Sequence, residues 1–134
     1  MKVDLVVDTN VLSFLFRQDS RAEAYLPYLE NKAIAISFQT VAELELWVLV
    51  SQWGPQRKAR LAQFIAHFGV VAYSERLGQQ WAEATFSARR QGKPIGSADA
   101  WIAATALELQ TPLVTHNPAD FAGVKGLQVI STIK

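Results

Sequence analysis

Short segments rich in valine, isoleucine and leucine alternate with longer helical patterns along the chain, and this alternation is the strongest constraint on its fold. Each apolar segment has the length of a buried strand, and the pattern between two of them has the period of a helix. Strands and helices in alternation form a parallel sheet covered by helices on both faces. The predicted strands are residues 3–7, 33–37, 69–73, 112–115 and 127–131, and the predicted helices are residues 22–30, 41–52, 55–67, 75–91 and 98–109.

The composition fits one globular domain spanning residues 1–134. Half of the residues are apolar and 19% are charged, which is typical of a folded chain rather than a disordered one. Cysteine is absent and only two histidines occur, which excludes a zinc-thiolate site, a disulfide framework and a multi-histidine metal site. No signal peptide and no apolar run of membrane-spanning length is seen, so we expect a soluble cytoplasmic protein without a membrane partner. The net charge of +1 neither indicates nor excludes binding to nucleic acid.

An acidic residue stands where the first predicted strand ends. The apolar residues 5–7 are followed at once by Asp8, and a second apolar stretch over residues 11–16 predicts a helix. An aspartate at this place commonly caps the helix by accepting an amide proton of its first turn. Ligands also collect at the carboxyl ends of the strands in parallel sheets. Asp8 is therefore predicted to cap the helix, to take part in a ligand-binding site at the end of the strand, or to do both. Both roles are possible together because a carboxylate has two oxygens.

Glu43 lies in a predicted helix that follows the second strand. At roughly 100° per residue on a helical wheel, Leu46, Trp47 and Val50 flank Glu43, whereas Glu45 falls on the polar side. We therefore expect Glu45 to be a solvated surface charge and Glu43 to face inward. A buried carboxylate is costly unless it is hydrogen bonded or binds a cation. A hydrogen bond to a neighbouring loop and a bound metal are the two explanations for Glu43.

Asp99 stands at the start of the most alanine-rich helical pattern. Ser97 is the predicted N-cap, which places Asp99 in the first turn, where the helix dipole favours an anion. Ala103 and Ala106 lie in line with it and allow this helix to approach the sheet closely. Asp99 is explained either as a charge that stabilises the helix start or as part of a site.

The fourth predicted strand also ends in polar residues. Asn117-Pro118 predicts a turn, and Asp120 either caps that turn or joins the other acids at the sheet edge. His116 could act as a general base, although a lone histidine beside a turn is more often a surface residue.

Several carboxylates are thus expected at one edge of the sheet. Two of them repel each other by about 4 kcal/mol at a separation of about 4 Å and an intermediate dielectric constant. A fold keeps such a cluster only where protons or cations offset the repulsion. Sites rich in oxygen and poor in histidine suit Mg²⁺ or Mn²⁺, which activate water and stabilise the leaving oxygen in phosphodiester hydrolysis. The residues therefore predict metal-assisted hydrolysis with one or two ions.

Four segments resemble the four motifs of PIN domains, with the closest similarity to the VapC-type ribonuclease toxins of bacterial toxin–antitoxin pairs. They are DTNVLS at residues 8–13, TVAEL at 40–44, DAWIAA at 99–104 and THNPADF at 115–121. The resemblance covers essentially the whole chain. It implies an α/β fold, a single PIN-like domain with a central five-stranded parallel sheet flanked by helices. It also implies endonucleolytic cleavage of RNA, a homodimer, and inhibition by a cognate antitoxin encoded beside the toxin.

The resemblance also implies roles for individual residues. The catalytic residues, which also hold Mg²⁺ or Mn²⁺, are Asp8, Glu43, Asp99 and Asp120. Asn117 assists Asp120 or substitutes for it as the fourth metal-site residue. Thr9 follows Asp8 directly, and Thr115 lies in the same motif as Asp120. The resemblance implies that both threonines orient carboxylates or water.

The chain departs from many PIN toxins in having Pro118-Ala119 where they have basic residues. Two basic runs can replace them in gripping RNA phosphates: Arg89, Arg90 and Lys93, just before the third motif, and Arg57, Lys58 and Arg60. The first run is preferred because the chain leads from it directly to Asp99. Each run is also explained as a solvated helix face.

The sequence favours the nuclease over two other classes of function. A receiver-like signalling domain needs an acidic pair after the first strand and a lysine after the fifth, whereas here one acid follows the first strand. A PIN-like domain that binds RNA or protein without cleavage is the other alternative, and the acids at all four motif positions argue against it.

Overall fold

The computed structural model describes residues 2–133, which form a five-stranded parallel sheet with helices on both faces. The strand order is β3-β2-β1-β4-β5, and each neighbouring pair is parallel. The predicted α/β fold is therefore confirmed. The strands are β1 (Leu5–Val7), β2 (Ile34–Ser37), β3 (Gly69–Val71), β4 (Leu113–Val114) and β5 (Val129–Ile130).

The helices connect the strands so that every strand runs in the same direction. They are α1 (Thr9–Arg17), α2 (Ser20–Glu23), α3 (Leu26–Leu29), α4 (Phe38–Val50), α5 (Pro55–Ile65), α6 (Glu75–Arg90) and α7 (Ser97–Leu109), with a 3-10 helix η1 (Pro118–Phe121). Within residues 2–133, no helix combines the length and the apolar character that crossing a membrane requires.

The central strand β1 divides two apolar cores. Leu5 and Val7 pack on one side of the sheet and Val6 on the other, as the alternation of side chains along a strand requires. On the Val6 side, Ala103 and Ala106 of α7 are fully buried. The small side chains of α7 thus allow close packing on the sheet, as predicted, and this packing brings the first turn of α7 to the carboxyl ends of the strands.

The prediction of one continuous helix over residues 22–30 is wrong, because two short helices, α2 and α3, occupy this segment. Pro27 is the cause. It has no amide hydrogen to continue the ladder from α2, and its ring would clash with the carbonyl of Glu23 four residues earlier. It is tolerated in the first turn of a new helix, which is where the structure has it.

Two helix starts differ from the predicted ones. α4 begins at Phe38, three residues early, because the Ser37 hydroxyl accepts a hydrogen bond from the Gln39 amide (3.0 Å) and caps the helix. The prediction that Ser97 is an N-cap is wrong. Gly96 has the extended cap conformation, and Ser97 is already the first residue of α7.

The apolar arc predicted around Glu43 is only partly buried. α4 packs through Thr40, Leu44 and Val48, whereas Leu46 and Val50 are 60% and 72% exposed. The helical wheel shows which residues share a face, but it does not show which part of that face a neighbouring element covers. Glu43 is consequently half-buried at the border between the packed and the open side of α4.

Candidate active site

The four predicted acids line one cavity of about 170 Å³. It lies at the carboxyl ends of β1 and β4, beside the starts of α4 and α7. The sheet edge at which ligands collect in parallel folds is therefore where the acids meet. The residues lining the cavity are Asp8, Thr9, Asn10, Glu43, Asp99, Ile102, Asn117, Asp120 and Phe121.

Asp8 is held by both of its carboxylate oxygens. Oδ1 accepts a hydrogen bond from the Val11 amide (2.9 Å), so the predicted N-cap is confirmed. Oδ2 accepts a hydrogen bond from the Thr115 hydroxyl (2.5 Å). Burial raises the pKa of Asp8, while the hydrogen bonds from Thr115 and Val11, and then the proximity of His116, act in the opposite direction. The donors thus favour the ionised form of a carboxylate that is only 5% exposed.

Thr115 connects the ends of two strands. Its hydroxyl, which is fully buried, donates to Asp8 and accepts a hydrogen bond from the Asn117 amide (3.0 Å). The same threonine therefore fixes the Asp8 carboxylate and the backbone that presents the Asn117 side chain to the cavity. This position is compatible with the orienting role predicted for Thr115.

Glu43 accepts a hydrogen bond from the Thr9 hydroxyl at its Oε1 atom (2.7 Å). The Thr9 hydroxyl also lies 3.1 Å from the hydroxyl of Thr40, which is fully buried on α4. α1 and α4 are thus joined at the cavity by a polar contact. Thr40 was not predicted as a site residue, although its place three residues before Glu43, on the same face of a helix, was a usable signal. Glu45 is exposed, as predicted.

Asp99 is the acid most affected by the other carboxylates. It is half-buried in the first turn of α7, and burial together with the charges of Asp120, Glu43 and Asp8 raises its pKa to about 6. Burial and repulsion by neighbouring carboxylates both disfavour the charged form of an acid, so the two effects act in the same direction here.

Asp120 and Asn117 are both exposed and both line the cavity, so either is placed to be the fourth residue. His116 is not among the lining residues. Its Nδ1 atom lies 2.6 Å from the hydroxyl of Tyr25, and its ring packs edge-on against Phe14. His116 is therefore a half-buried packing residue rather than the surface residue that was the more usual expectation.

The basic run Arg89, Arg90 and Lys93 is exposed at the end of α6 and in the loop that leads to α7. A Cβ atom at Gly123 would lie 2.8 Å from the Lys93 carbonyl oxygen, so this loop lies against the segment that follows η1. Arg90 lines a separate cavity between α6 and α7. The structure thus leaves these three side chains free to meet solvent, on the side of the molecule that carries Asp120.

The donor set suits a hard divalent cation, because the cavity offers carboxylate and amide oxygens and hydroxyl groups. Burial, and then the negative charges of Asp120, Glu43 and Asp8, raise the pKa of Asp99, so a bound cation would favour its ionised form. Across residues 2–133, no group of three or more histidine or acidic side chains has its donor atoms already arranged around one ion. One reason is that Glu43 is turned toward Thr9. The residues therefore fit a metal by the chemistry of their donor atoms and by lining one cavity.

Comparison with known proteins identifies the family of the chain. Residues 5–127 match the PIN domain family model. The ribonuclease VapC1 of Haemophilus influenzae is 30% identical over 125 residues, which cover 92% of this chain and 93% of that protein. The structure of VapBC-1 from nontypeable Haemophilus influenzae superposes with a TM-score of 0.80 at 30% identity, covering 97% of this chain and 98% of that one.

A toxin–antitoxin complex from Klebsiella pneumoniae contains a chain that is 26% identical and superposes with a TM-score of 0.74, with coverage of 96% and 97%. The family model spans most of the chain, and the cavity is lined by the four acids of the motifs that resemble it. The chain therefore belongs to the PIN-domain family, and the resemblance seen in the sequence is confirmed.

Proposed function

We propose that this protein is an endoribonuclease that depends on Mg²⁺ or Mn²⁺ and acts as the toxin of a VapBC-type toxin–antitoxin pair. The observation that carries the proposal is the meeting of four carboxylates in one cavity, where burial and then the charges of the neighbouring acids raise the pKa of Asp99 to about 6. A fold that accepts this electrostatic cost gains from it only when a cation binds. The ribonuclease name of the Haemophilus relative supports RNA as the substrate.

Asp8, Glu43, Asp99 and Asp120 would hold the metal, with Asn117 as an alternative to Asp120. When bound, a divalent cation there supplies activation of water and stabilisation of the leaving oxygen. The protein contributes fixed ligands. Asp8 is locked by two donors, and Thr9 and Thr115 each hold one of the acids through a hydroxyl group. Such supporting contacts reduce the reorganisation that metal binding requires.

We also propose three binding partners: a cognate antitoxin, a second copy of this chain and RNA. A cognate antitoxin is supported by the solved complexes that the chain resembles, and a homodimer is proposed from the family resemblance. Arg89, Arg90 and Lys93 are proposed to contact RNA phosphates on the Asp120 side of the cavity, because they are exposed and precede α7.

The test is cleavage of a long single-stranded RNA by the purified protein with Mn²⁺. Wild type should cut internal bonds and lose activity in a chelator, and Asp99→Asn should abolish cleavage while the protein stays folded. A matched pair on α4 provides the control: Glu43→Gln should be inactive, whereas Glu45→Gln, which removes the same charge two residues away on an exposed face, should be active. Full activity of Asp99→Asn would refute the mechanism. A wild type that binds RNA without cutting it would favour the non-cleaving alternative.

A further inference from the structure

A groove leaves the acid cavity between α1 and α4. It shares Thr9, Asn10 and Glu43 with the cavity and continues past Trp47 to Arg17, the last residue of α1. At 1.5 Å per residue, the distance from Thr9 to Arg17 along α1 is about 12 Å. One continuous channel of about that length therefore joins the four carboxylates to a cationic side chain.

A second depression begins at Arg17 and crosses α5. It has a volume of about 480 Å³ and is lined by Arg57, Arg60 and His67 in addition to Arg17. Among the described residues that line it, none is an aspartate or a glutamate. The run at residues 57–60, for which the sequence favoured a solvated helix face, thus converges with the end of α1 into a single basic surface.

Two of these arginines are held against aromatic rings. The Arg57 guanidinium lies 4.1 Å from the centre of the Trp53 ring, and that of Arg17 lies 5.7 Å from the Trp47 ring. The two indole rings are themselves 4.6 Å apart. A guanidinium stacked on a ring keeps its charge and presents its N–H groups sideways, in the geometry that suits phosphate oxygens.

The positive charge of this surface is only partly neutralised from within the protein. Arg17 lies 3.7 Å from the Asp19 carboxylate, but that carboxylate makes its closer contact, 2.7 Å, with Arg21. The groove between the acids and the arginines is apolar, and its rim carries the exposed Leu46 and Val50. The order along the channel is therefore acidic, apolar and basic.

We propose that this channel binds single-stranded RNA, with Arg17, Arg57 and Arg60 gripping phosphates two to four nucleotides away from the bond that is cut. The inference rests on the proposed nuclease function and specifies how its substrate is held. A distance of about 12 Å equals roughly three to four phosphates at the 3.4 Å spacing of a stacked strand, and fewer in an extended one. A single strand is favoured over a duplex because the apolar middle section can accept base faces, which are hidden inside a duplex.

The experiment measures RNA binding without cleavage, using Asp99→Asn protein and a short fluorescein-labelled single-stranded RNA of mixed sequence. Affinity is measured by anisotropy over a series of salt concentrations. The slope of log K against log salt changes by about 0.7 for each phosphate contact on a single strand. Adding Arg57→Gln and Arg60→Gln should therefore weaken binding and reduce the slope by about 1.4. A duplex RNA probe of the same sequence should bind less tightly than the single strand.

Two control proteins isolate the contribution of position and of charge. Lys32→Gln with Arg76→Gln removes the same two charges from exposed sites outside the channel, and the slope should stay at its starting value. Arg57→Lys with Arg60→Lys keeps both charges but not the planar stacking group, so it should restore most of the slope, which a merely structural role of the arginines would not. Thermal unfolding of each variant confirms that the fold is retained.

The proposal is overturned if the two glutamine substitutions leave the slope unchanged, because Arg57 and Arg60 then make no phosphate contact. It is also overturned if the control substitutions at Lys32 and Arg76 reduce the slope equally. In the otherwise wild-type protein, the glutamine pair should raise KM for RNA with little change in kcat. If RNA binding depends on these arginines but the protein never cleaves RNA, the nuclease function is refuted and the RNA-binding channel is retained. If the protein cleaves RNA but the glutamine pair leaves the slope unaltered, the channel is refuted and the nuclease function is retained.

Discussion

The hydroxyl of Thr115 donates a hydrogen bond to the Asp8 carboxylate across 107 positions of sequence, at a distance of 2.5 Å. The contact is a direct product of the sheet topology. β1 and β4 are neighbours in register, with Val7 opposite Val114, so the next residue on each strand meets just beyond the sheet edge. A candidate metal ligand and the group that orients it are therefore placed by the same strand pairing.

The first prediction concerns this hydrogen bond. Thr115→Val keeps the shape of a fully buried side chain but removes the donor that stabilises the charged form of Asp8. The pKa of Asp8 should rise further, and cleavage should fall by about 10- to 100-fold, as is usual when a supporting contact of a metal site is lost. The pH–rate profile should shift to higher pH.

Thr105→Val is the matched control for this change. Thr105 is equally buried, and its hydroxyl donates to the Trp101 carbonyl within α7 (2.8 Å) rather than to an acid. It should leave the pH–rate profile in place. An identical profile for Thr115→Val and wild type would show that the hydrogen bond has no part in tuning Asp8.

The second prediction separates the two roles of Asp8. Asparagine retains the oxygen that accepts the Val11 amide proton, whereas alanine removes it. Without added metal, Asp8→Ala should lower the free energy of unfolding by about 1 kcal/mol, the usual cost of losing an N-cap, and Asp8→Asn should not. Both variants should be inactive, because neither has the carboxylate. Urea denaturation gives the comparison, and equal stability of the two variants would exclude the capping contribution.

Patterns among residues that are close together along the chain were sufficient to predict much of the candidate active site. An apolar strand followed by an acid predicted both the cap and the location of Asp8, and small residues predicted the close approach of α7 to the sheet. Each of these inferences needs only residues that are near neighbours along the chain. The parallel sheet then brings the strand ends to one edge, which is why four separately predicted acids share a cavity.

What the sequence could not predict depends on contacts between distant elements. Tyr25 was part of a predicted helix, yet it lies between α2 and α3, and its hydroxyl lies 2.6 Å from Nδ1 of His116, 91 positions away. The exposure of Leu46 depends on which side of α4 its neighbours cover. The joining of Arg17 with Arg57 requires the end of α1 to lie near α5, and no local pattern encodes that proximity.

The third prediction follows from the elevated pKa of Asp99. Its value of about 6 in the folded protein lies above the ordinary 3.8, so folding favours the protonated form. In the absence of metal, Asp99 therefore costs no stability below about pH 3.8, and its destabilising effect grows as the pH rises and is complete above about pH 6. Asp99→Asn should remove this effect. After allowance for the solvent screening of a half-buried group, the gain at pH 7.5 is about 1 kcal/mol, or roughly 4 °C in Tm.

Divalent metal should reverse the order of stability, so that wild type becomes more stable than Asp99→Asn. Mn²⁺ neutralises the cluster, so it should raise the Tm of wild type at pH 7.5 and raise it much less at pH 5, where a proton competes for the Asp99 carboxylate. Asp99→Asn should respond weakly at both pH values. Glu45→Gln serves as the charge-matched control and should follow wild type, because its side chain is exposed and lies outside the cavity. A Tm for Asp99→Asn that matches wild type at pH 7.5 without metal would show that burial and the neighbouring carboxylates do not destabilise the ionised form of Asp99.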